Sequence, residues 1–211
     1  MNAKYVLAAM LAVPAAAQTL LPARPGVILY LEGRAMLDAD PVAVSPPRWP
    51  QMRPNAVLRT DDGRAKVLLN PCLLLHLGNH SALRMVMNSL TDARVELLAG
   101  SAVVDADGGN RTGSVELEVQ GNSVRIARDG LYSFDSSPAQ IRVYYGVAAV
   151  KGTGRLTLAA GHALLFGRAS ARSFDRKQTD AFDEWSDRRV RQLMDDSRIP
   201  PQFGRPRICV P

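Results

Sequence analysis

The chain of 211 residues contains few of the residue types that enzymes and metal sites use most. It has three histidines and two cysteines, and it contains no G-x-S-x-G, H-E-x-x-H or P-loop sequence. Acyl transfer, zinc-dependent hydrolysis and phosphate chemistry therefore lack their usual signatures. We expect a protein that is not an enzyme and that uses no cofactor.

Long hydrophobic runs are absent from the body of the chain. The apolar stretch at 67–77 is interrupted by Asn70, Pro71 and His76. A membrane-spanning helix needs about 20 consecutive apolar residues. We therefore expect no transmembrane span in the mature chain.

The first residues form the pattern of a secretory signal peptide. Lys4 supplies a positive charge, residues 5–13 are apolar, and small residues lead to Ala17. We expect a signal peptide at 1–17, a linker at 18–25 and export to the periplasm or the cell surface.

The net charge is +6, which raises the question of nucleic-acid binding. The arginines are spread singly along most of the chain. The densest group, Arg188, Arg189 and Arg191, is interleaved with acidic residues, as on a solvated helix face. Together with export, this distribution argues against a nucleic-acid partner.

Short apolar runs separated by Gly, Asp, Asn and Ser predict a β domain at 26–170. Residues 115–119, 94–97 and 140–144 alternate between apolar and polar, as in strands with one buried face. The runs 67–69 and 73–75 are continuously apolar, which indicates strands that are covered on both faces.

Four segments repeat the order strand, glycine, strand, with Gly33, Gly100, Gly146 and Gly161 at the centre. Glycine at these points predicts tight bends where a Cβ atom would clash. The spacing of the repeat is irregular, so both a β-sandwich of the jelly-roll kind and a short β-roll fit it.

The hydrophobic period changes near the end of the chain and predicts an amphipathic helix at 178–197. We expect its face with Phe182 and Trp185 to pack on the β domain. Proline-rich residues 198–211 predict an irregular tail. The fold class is therefore mostly β with one C-terminal helix.

The cysteines, Cys72 and Cys209, allow two interpretations. In an oxidising compartment they could form a disulfide that ties the tail to the core. Alternatively, Cys72 is buried and Cys209 is a free thiol. The sequence does not place the two Cα atoms, so both alternatives stay open.

The spacing of Cys72, His76 and His80 is the one metal-like pattern in the sequence. On an uninterrupted strand these side chains would share a face, but Gly78 and Asn79 predict a turn between the histidines. A zinc site would also need a fourth ligand. We favour ordinary strand residues over a metal site.

The order of several motifs resembles the FecR domain. These are Leu58–Leu69, with Asp61-Asp62-Gly63 at its centre, Val95–Val104, Gly130–Phe134 leading into Ile141–Val150, and Leu156–Leu164. The resemblance implies a periplasmic β domain that receives a signal from an outer-membrane receptor and passes it to an anti-sigma segment. This sequence contains neither the anti-sigma region nor a transmembrane helix, and no catalytic residues are carried over.

We expect a binding module that contacts a protein partner in the cell envelope, for signalling or as a scaffold. The alternative is a module that binds carbohydrate or another envelope polymer through exposed aromatic rings. Trp49, Tyr144 and Tyr145 are the candidates for such contacts. Tyr144 and Tyr145 should point to opposite faces of their strand.

Overall fold

The computed structural model describes residues 24–70, 73–106, 114–126, 129–151, 155–168, 170–177, 182 and 184–186. Most of these residues lie in strands, and residues 182 and 184–186 are helical. The mostly β fold class predicted from the sequence is confirmed. No helix in the described ranges has the length and hydropathy of a membrane span.

Two sheets make up the domain. Across the eight-stranded sheet the strands follow in the order β1 Val27–Glu32, β5 Arg64–Asn70, β6 Leu73–Leu77, β9 Ser101–Ala106, β12 Gly130–Ser136, β13 Ala139–Tyr145, β16 His162–Leu165 and β17 Arg172–Ser173. Across the nine-stranded sheet the order is β15 Arg155–Ala159, β14 Val147–Lys151, β11 Asn122–Ile126, β10 Ser114–Val119, β8 Asp92–Ala99, β7 Ala82–Asn88, β4 Val57–Thr60, β2 Ala35–Leu37 and β3 Asp40–Pro41.

The chain winds between the two sheets as it proceeds. Strands of the eight-stranded sheet lie side by side in chain order, and those of the nine-stranded sheet do so with one exchange at the β2 and β3 edge. Neighbouring strands are antiparallel, except that β8 and β10 are parallel because β9 in the other sheet connects them. The fold has features of both predicted alternatives. Two sheets make up a β-sandwich, and the chain passes repeatedly from one sheet to the other as in a β-roll.

Glycines mark four of the points where the chain passes from one sheet to the other. Gly33, Gly100, Gly146 and Gly161 lie between β1 and β2, β8 and β9, β13 and β14, and β15 and β16. Their φ angles are 70°, 77°, 88° and 78°. The tight bends predicted from the repeat are confirmed as sheet crossings.

A buried tyrosine stabilises the crossing at Gly146. The Tyr132 hydroxyl donates a hydrogen bond to the Val147 carbonyl oxygen and accepts one from the Val147 amide, both at 3.2 Å. Burial raises the pKa of Tyr132 to about 12, with a further increase from the charge of Asp129 and an opposing effect of the Val147 hydrogen bond.

We expect Tyr132→Phe to lower the free energy of unfolding by about 2 kcal/mol, because the change removes two hydrogen bonds to the partly buried amide and carbonyl of Val147. Urea unfolding followed by circular dichroism measures this. The matched control is Tyr145→Phe, since Tyr145 is 43% exposed and should change stability by about 0.5 kcal/mol at most. Equal losses in both variants would contradict the assigned role.

The two sheets differ in their outer faces. On the nine-stranded sheet the outer face carries ion pairs such as Arg84 to Glu96 at 2.8 Å and Lys151 to Glu116 at 3.8 Å. These pairs are partly exposed and each adds little to stability. In the eight-stranded sheet, β5 and β6 are buried on both faces, as their continuous apolar runs predict.

The loop between β3 and β4, which contains Pro46, Pro47, Pro50 and Pro54, covers the edge of the eight-stranded sheet. It begins and ends in the nine-stranded sheet, at β3 and β4, but extends to β1. The Ile28 amide donates to the Pro50 carbonyl at 2.8 Å, and the Met52 amide donates to the Gly26 carbonyl at 2.8 Å. Backbone pairing of this kind protects an edge strand from other chains.

Candidate functional site

Cross-strand pairing aligns a row of side chains on the outer face of the eight-stranded sheet. Side chains alternate between the two faces of a strand. Because neighbouring positions such as Val67 and Phe134 point into the core between the sheets, the side chains of the row point away from that core. The pairs in register define the cross-strand row as Tyr30, Lys66, His76, Val103, Ser133 and Arg142.

The middle of the cross-strand row is buried although it lies outside the core between the sheets. Lys66 is 1% exposed, His76 is 0% exposed and Ser133 is 2% exposed. Lysine and histidine are seldom fully buried, since removing a charge or a polar group from water costs free energy. A cover must therefore lie over this face.

Trp185 forms the described part of that cover. Its side chain is 5% exposed, and its indole N–H donates a hydrogen bond of 2.8 Å to Glu32 Oε2 on β1. The indole meets the His76 ring edge to face, with centroids 5.8 Å apart. The predicted packing of the C-terminal helix on the β domain is thus observed at Trp185.

Further contacts hold the indole over the edge of the sheet. The Arg64 guanidinium lies 5.2 Å from the centre of the Trp185 ring, within the range of a cation–π interaction. The Tyr30 ring lies 6.4 Å away, and Phe182 stacks on Trp185 at 6.0 Å. Trp185 therefore covers the part of the face that lies around Tyr30, Arg64 and His76.

His76 is held in its neutral form. Both ring nitrogens are buried, and neither has a hydrogen-bond partner among the described residues. Burial lowers the pKa of His76 well below 6.5, and the charge of the neighbouring Lys66 lowers it further. The imidazole therefore serves as a packing surface for Trp185 at neutral pH.

This environment predicts a loss of stability in mild acid. The unfolded histidine takes up a proton near pH 6.5, whereas the folded one does so only at lower pH, so unfolding becomes more favourable as the pH falls below 6.5. We expect a loss of about 1 kcal/mol between pH 7.5 and about pH 5.5. Thermal melts across this range measure it.

The variant His76→Phe should remove most of this pH dependence, because phenylalanine keeps an aromatic ring beneath Trp185 and does not titrate. The matched control is His80→Gln, which changes a histidine whose side chain is 65% exposed. If the stability of His76→Phe fell in mild acid as much as that of the wild-type chain, another group would be responsible for the pH dependence.

At its other end the cross-strand row approaches the surface. The Arg142 guanidinium donates to Ser133 Oγ at 3.1 Å and to Asp135 Oδ2 at 3.4 Å, and it lies 5.9 Å from the centre of the Tyr144 ring. The side chains of Arg142 and Asp135 are each 21% exposed. This end of the row is therefore partly open to solvent, with the Arg142 guanidinium engaged by Ser133 and Asp135.

The three aromatic candidates lie in different environments. Trp49 is half-buried against an apolar cluster on the outer face of the eight-stranded sheet. Tyr144 is 1% exposed and meets Phe174 edge to face at 5.1 Å. Tyr145 is 43% exposed, and the Arg176 guanidinium lies 5.4 Å from its ring centre. Of these rings, that of Tyr145 is the most accessible.

Of the three residues with metal-like spacing, His76 and His80 are among the described residues and Cys72 is not. Cys72 and Cys209 lie outside the described residues, so the disulfide question falls there too. His76 is buried within β6, whereas the exposed His80 places Nε2 3.2 Å from Asp62 Oδ1. In the described ranges, no group of three His, Cys, Asp or Glu side chains is arranged to hold a metal ion.

No protein-family model and no curated protein sequence matches this chain. Two solved structures from Parabacteroides distasonis ATCC 8503, each of a protein provisionally assigned as an anti-sigma factor, are similar to it. One is 11% identical with a TM-score of 0.51, and the match covers 65% of this chain and 73% of that one. The other is 13% identical with a TM-score of 0.48, covering 56% of this chain and 59% of that one. At such identity the first likeness shows a shared fold.

Proposed function

We propose that this chain is a non-enzymatic sensing or scaffold module of the cell envelope that acts by binding another protein. The observation that carries the proposal is the outer face of the eight-stranded sheet. Lys66 and His76 are buried there, outside the core between the sheets, and Trp185 of the C-terminal segment packs on the His76 ring. A face of this kind is suited to exchanging one covering segment for another.

The two described groups with perturbed pKa values have structural roles in the fold. Tyr132 uses its hydroxyl to hold a sheet crossing, and His76 is sealed from solvent beneath Trp185. Perturbed groups often mark active sites, but structural networks perturb them as well. Here each perturbation has a structural cause, because both side chains are buried in the described residues.

The more specific proposal is a FecR-type domain exported to the periplasm or the cell surface. The motifs behind that resemblance fall on structural landmarks: Gly100 and Gly146 are sheet crossings, and Gly130 begins β12. The proteins of similar fold carry an anti-sigma assignment, which belongs to the same kind of signalling. The signal-peptide pattern at 1–17 supports export.

The test is an affinity capture of the tagged mature chain from an envelope extract after mild crosslinking, read by mass spectrometry. We expect a discrete envelope protein that also binds the purified chain. Recovery of polysaccharide or peptidoglycan without protein would overturn the proposal in favour of the polymer-binding alternative, with Tyr145 as the first ring to change. N-terminal sequencing of the exported chain should begin at Gln18.

A further inference from the structure

His76 and Trp185 meet where the C-terminal segment contacts the outer face of the eight-stranded sheet. The His76 ring is 0% exposed, and the indole meets it edge to face with centroids 5.8 Å apart. Neither imidazole nitrogen has a hydrogen-bond partner among the described residues. The contact therefore favours a neutral ring, because an imidazolium ion here would be buried with no described acceptor for its two N–H groups.

The segment, of which residues 182 and 184–186 are described, is held to the sandwich by side chains. Trp185 belongs to neither apolar cluster of the sheets. In the described ranges, no backbone hydrogen bond joins the segment to a strand. The contacts of Trp185 with the sheet are to four side chains on its outer face: Tyr30, Glu32, Arg64 and His76. Release of Trp185 from this face therefore breaks no described strand pairing and leaves the core between the sheets intact.

We propose that His76 is a pH-sensitive switch for this segment: in mild acid, uptake of a proton by His76 favours an open state in which Trp185 has left the outer face while both sheets stay folded. The proposal goes beyond the proposed function and holds for the chain alone, whatever its partner. It assigns the acid sensitivity of the chain to a local opening.

The described elements around His76 bring both cations and carboxylates to this face. Lys66 pairs with His76 in register, and burial together with the charge of Lys66 lowers the pKa of the imidazole. The Glu32 carboxylate accepts the indole hydrogen bond. The closed state thus opposes protonation, and the open state, in which water reaches the ring, opposes it less. The other charged or titratable groups are Tyr30 on β1, Arg64 on β5, Asp105 on β9 and the exposed Glu184 of the segment.

The linkage between proton uptake and opening determines the direction and size of the effect. The open state takes up a proton near pH 6.5, as an ordinary histidine does, whereas the closed state does so only at lower pH. Well above pH 6.5 both states are neutral, so pH does not affect opening. Each pH unit below 6.5 favours opening by up to about tenfold, until the pH reaches the pKa of the closed state.

The experiment measures hydrogen exchange of the Trp185 indole N–H by NMR in the full chain, between pH 7.5 and about pH 5.5. Dividing the exchange rate of free tryptophan at each pH by the observed rate gives a protection factor. We expect the protection of the Trp185 indole to fall about tenfold over this range. The Trp49→Phe chain, which has a single indole, identifies the signal.

Substitution of the histidine tests whether His76 is the responsible group. In His76→Phe the protection of the Trp185 indole should no longer depend on pH, because phenylalanine keeps an aromatic ring beneath the indole and does not titrate. His76→Leu serves if His76→Phe does not fold. The matched control is His80→Gln, whose histidine is 65% exposed, and this chain should show the same fall as the wild-type chain.

Urea distinguishes release of the segment from unfolding of the whole domain. A local opening exposes little surface, so low urea concentrations should hardly change the protection of the Trp185 indole. Amides in the central strands β6 and β9 should be better protected than the indole, and their protection should fall steeply with urea.

Three results would overturn the inference. One is an indole protection factor that does not fall between pH 7.5 and about pH 5.5. Another is a fall that His76→Phe and His76→Leu retain. The third is an indole that matches the amides of β6 and β9 in both protection and urea dependence, because the segment would then open only when the domain unfolds. Each of these results would leave the proposed binding function intact.

Discussion

Replacing Gly146 with alanine is expected to lower the free energy of unfolding by about 3 kcal/mol. The backbone has φ 88° at this crossing, and a Cβ atom there would collide with the Tyr132 hydroxyl and the Asp129 carbonyl oxygen. Strain in a left-handed conformation and overpacking each cost about 1 to 3 kcal/mol. Urea unfolding followed by circular dichroism measures the loss.

The chain provides a matched control at Gly121. Its φ is 75°, and nothing lies within 4 Å of the place where a Cβ atom would stand. Gly121→Ala should therefore cost only the conformational strain, about 1 kcal/mol. If the two variants lost the same free energy, the close packing around the crossing at Gly146 would not contribute to stability.

Trp185→Ala should have an effect of similar size, a loss of about 3 kcal/mol in the free energy of unfolding. The change removes a buried indole together with its hydrogen bond to Glu32 and its contact with Arg64. It also uncovers the His76 ring, on which the indole packs. Urea unfolding at neutral pH, followed by far-ultraviolet circular dichroism, gives the value.

Trp49→Ala is the matched substitution for this measurement. Trp49 also lies on the outer face of the eight-stranded sheet, but it is only half-buried, against Val27, Leu29, Leu68 and Leu74. We expect a smaller loss, about 1 to 2 kcal/mol. An unchanged stability in Trp185→Ala would show that the covering segment opens independently of the β domain.

The sequence predicted those parts of the fold that depend on local conformation. Glycines at 33, 100, 146 and 161 were expected in tight bends, and all four lie at sheet crossings with positive φ. The alternating residues 115–119 lie in β10, where buried and half-buried side chains alternate along the strand. Such features are determined by a few neighbouring residues, so the sequence displays them directly.

The candidate site could not be predicted in the same way. Trp185 and Glu32, which share a hydrogen bond, are 153 residues apart, and no local pattern connects them. One signal was present: Lys66 interrupts the apolar residues of β5, a strand predicted to be covered on both faces. Lys66 is indeed buried, but the sequence does not show that Trp185, from near the end of the chain, packs on the same face beside His76.

Tyr144 and Tyr145 also show that a local sequence pattern does not predict tertiary contacts. Alternation along β13 predicts that they point in opposite directions, and their exposures of 1% and 43% agree with this. Which of the two is covered depends on Phe174, which follows β17 and packs on Tyr144. Periodicity shows that two neighbours differ, whereas tertiary contacts decide which one faces water.

The order of strands in the two sheets has a consequence for how such a molecule can change length. After each crossing, the new strands pair beside strands that come earlier in the chain. The pairings between the earlier strands of a sheet therefore do not involve the later ones. Repeat proteins grow and shrink by whole units for this reason. We therefore expect that strands could be added to or lost from the end with β14 and β15 without changing the strand pairings of β1, β5 and β6, which lie at the opposite end.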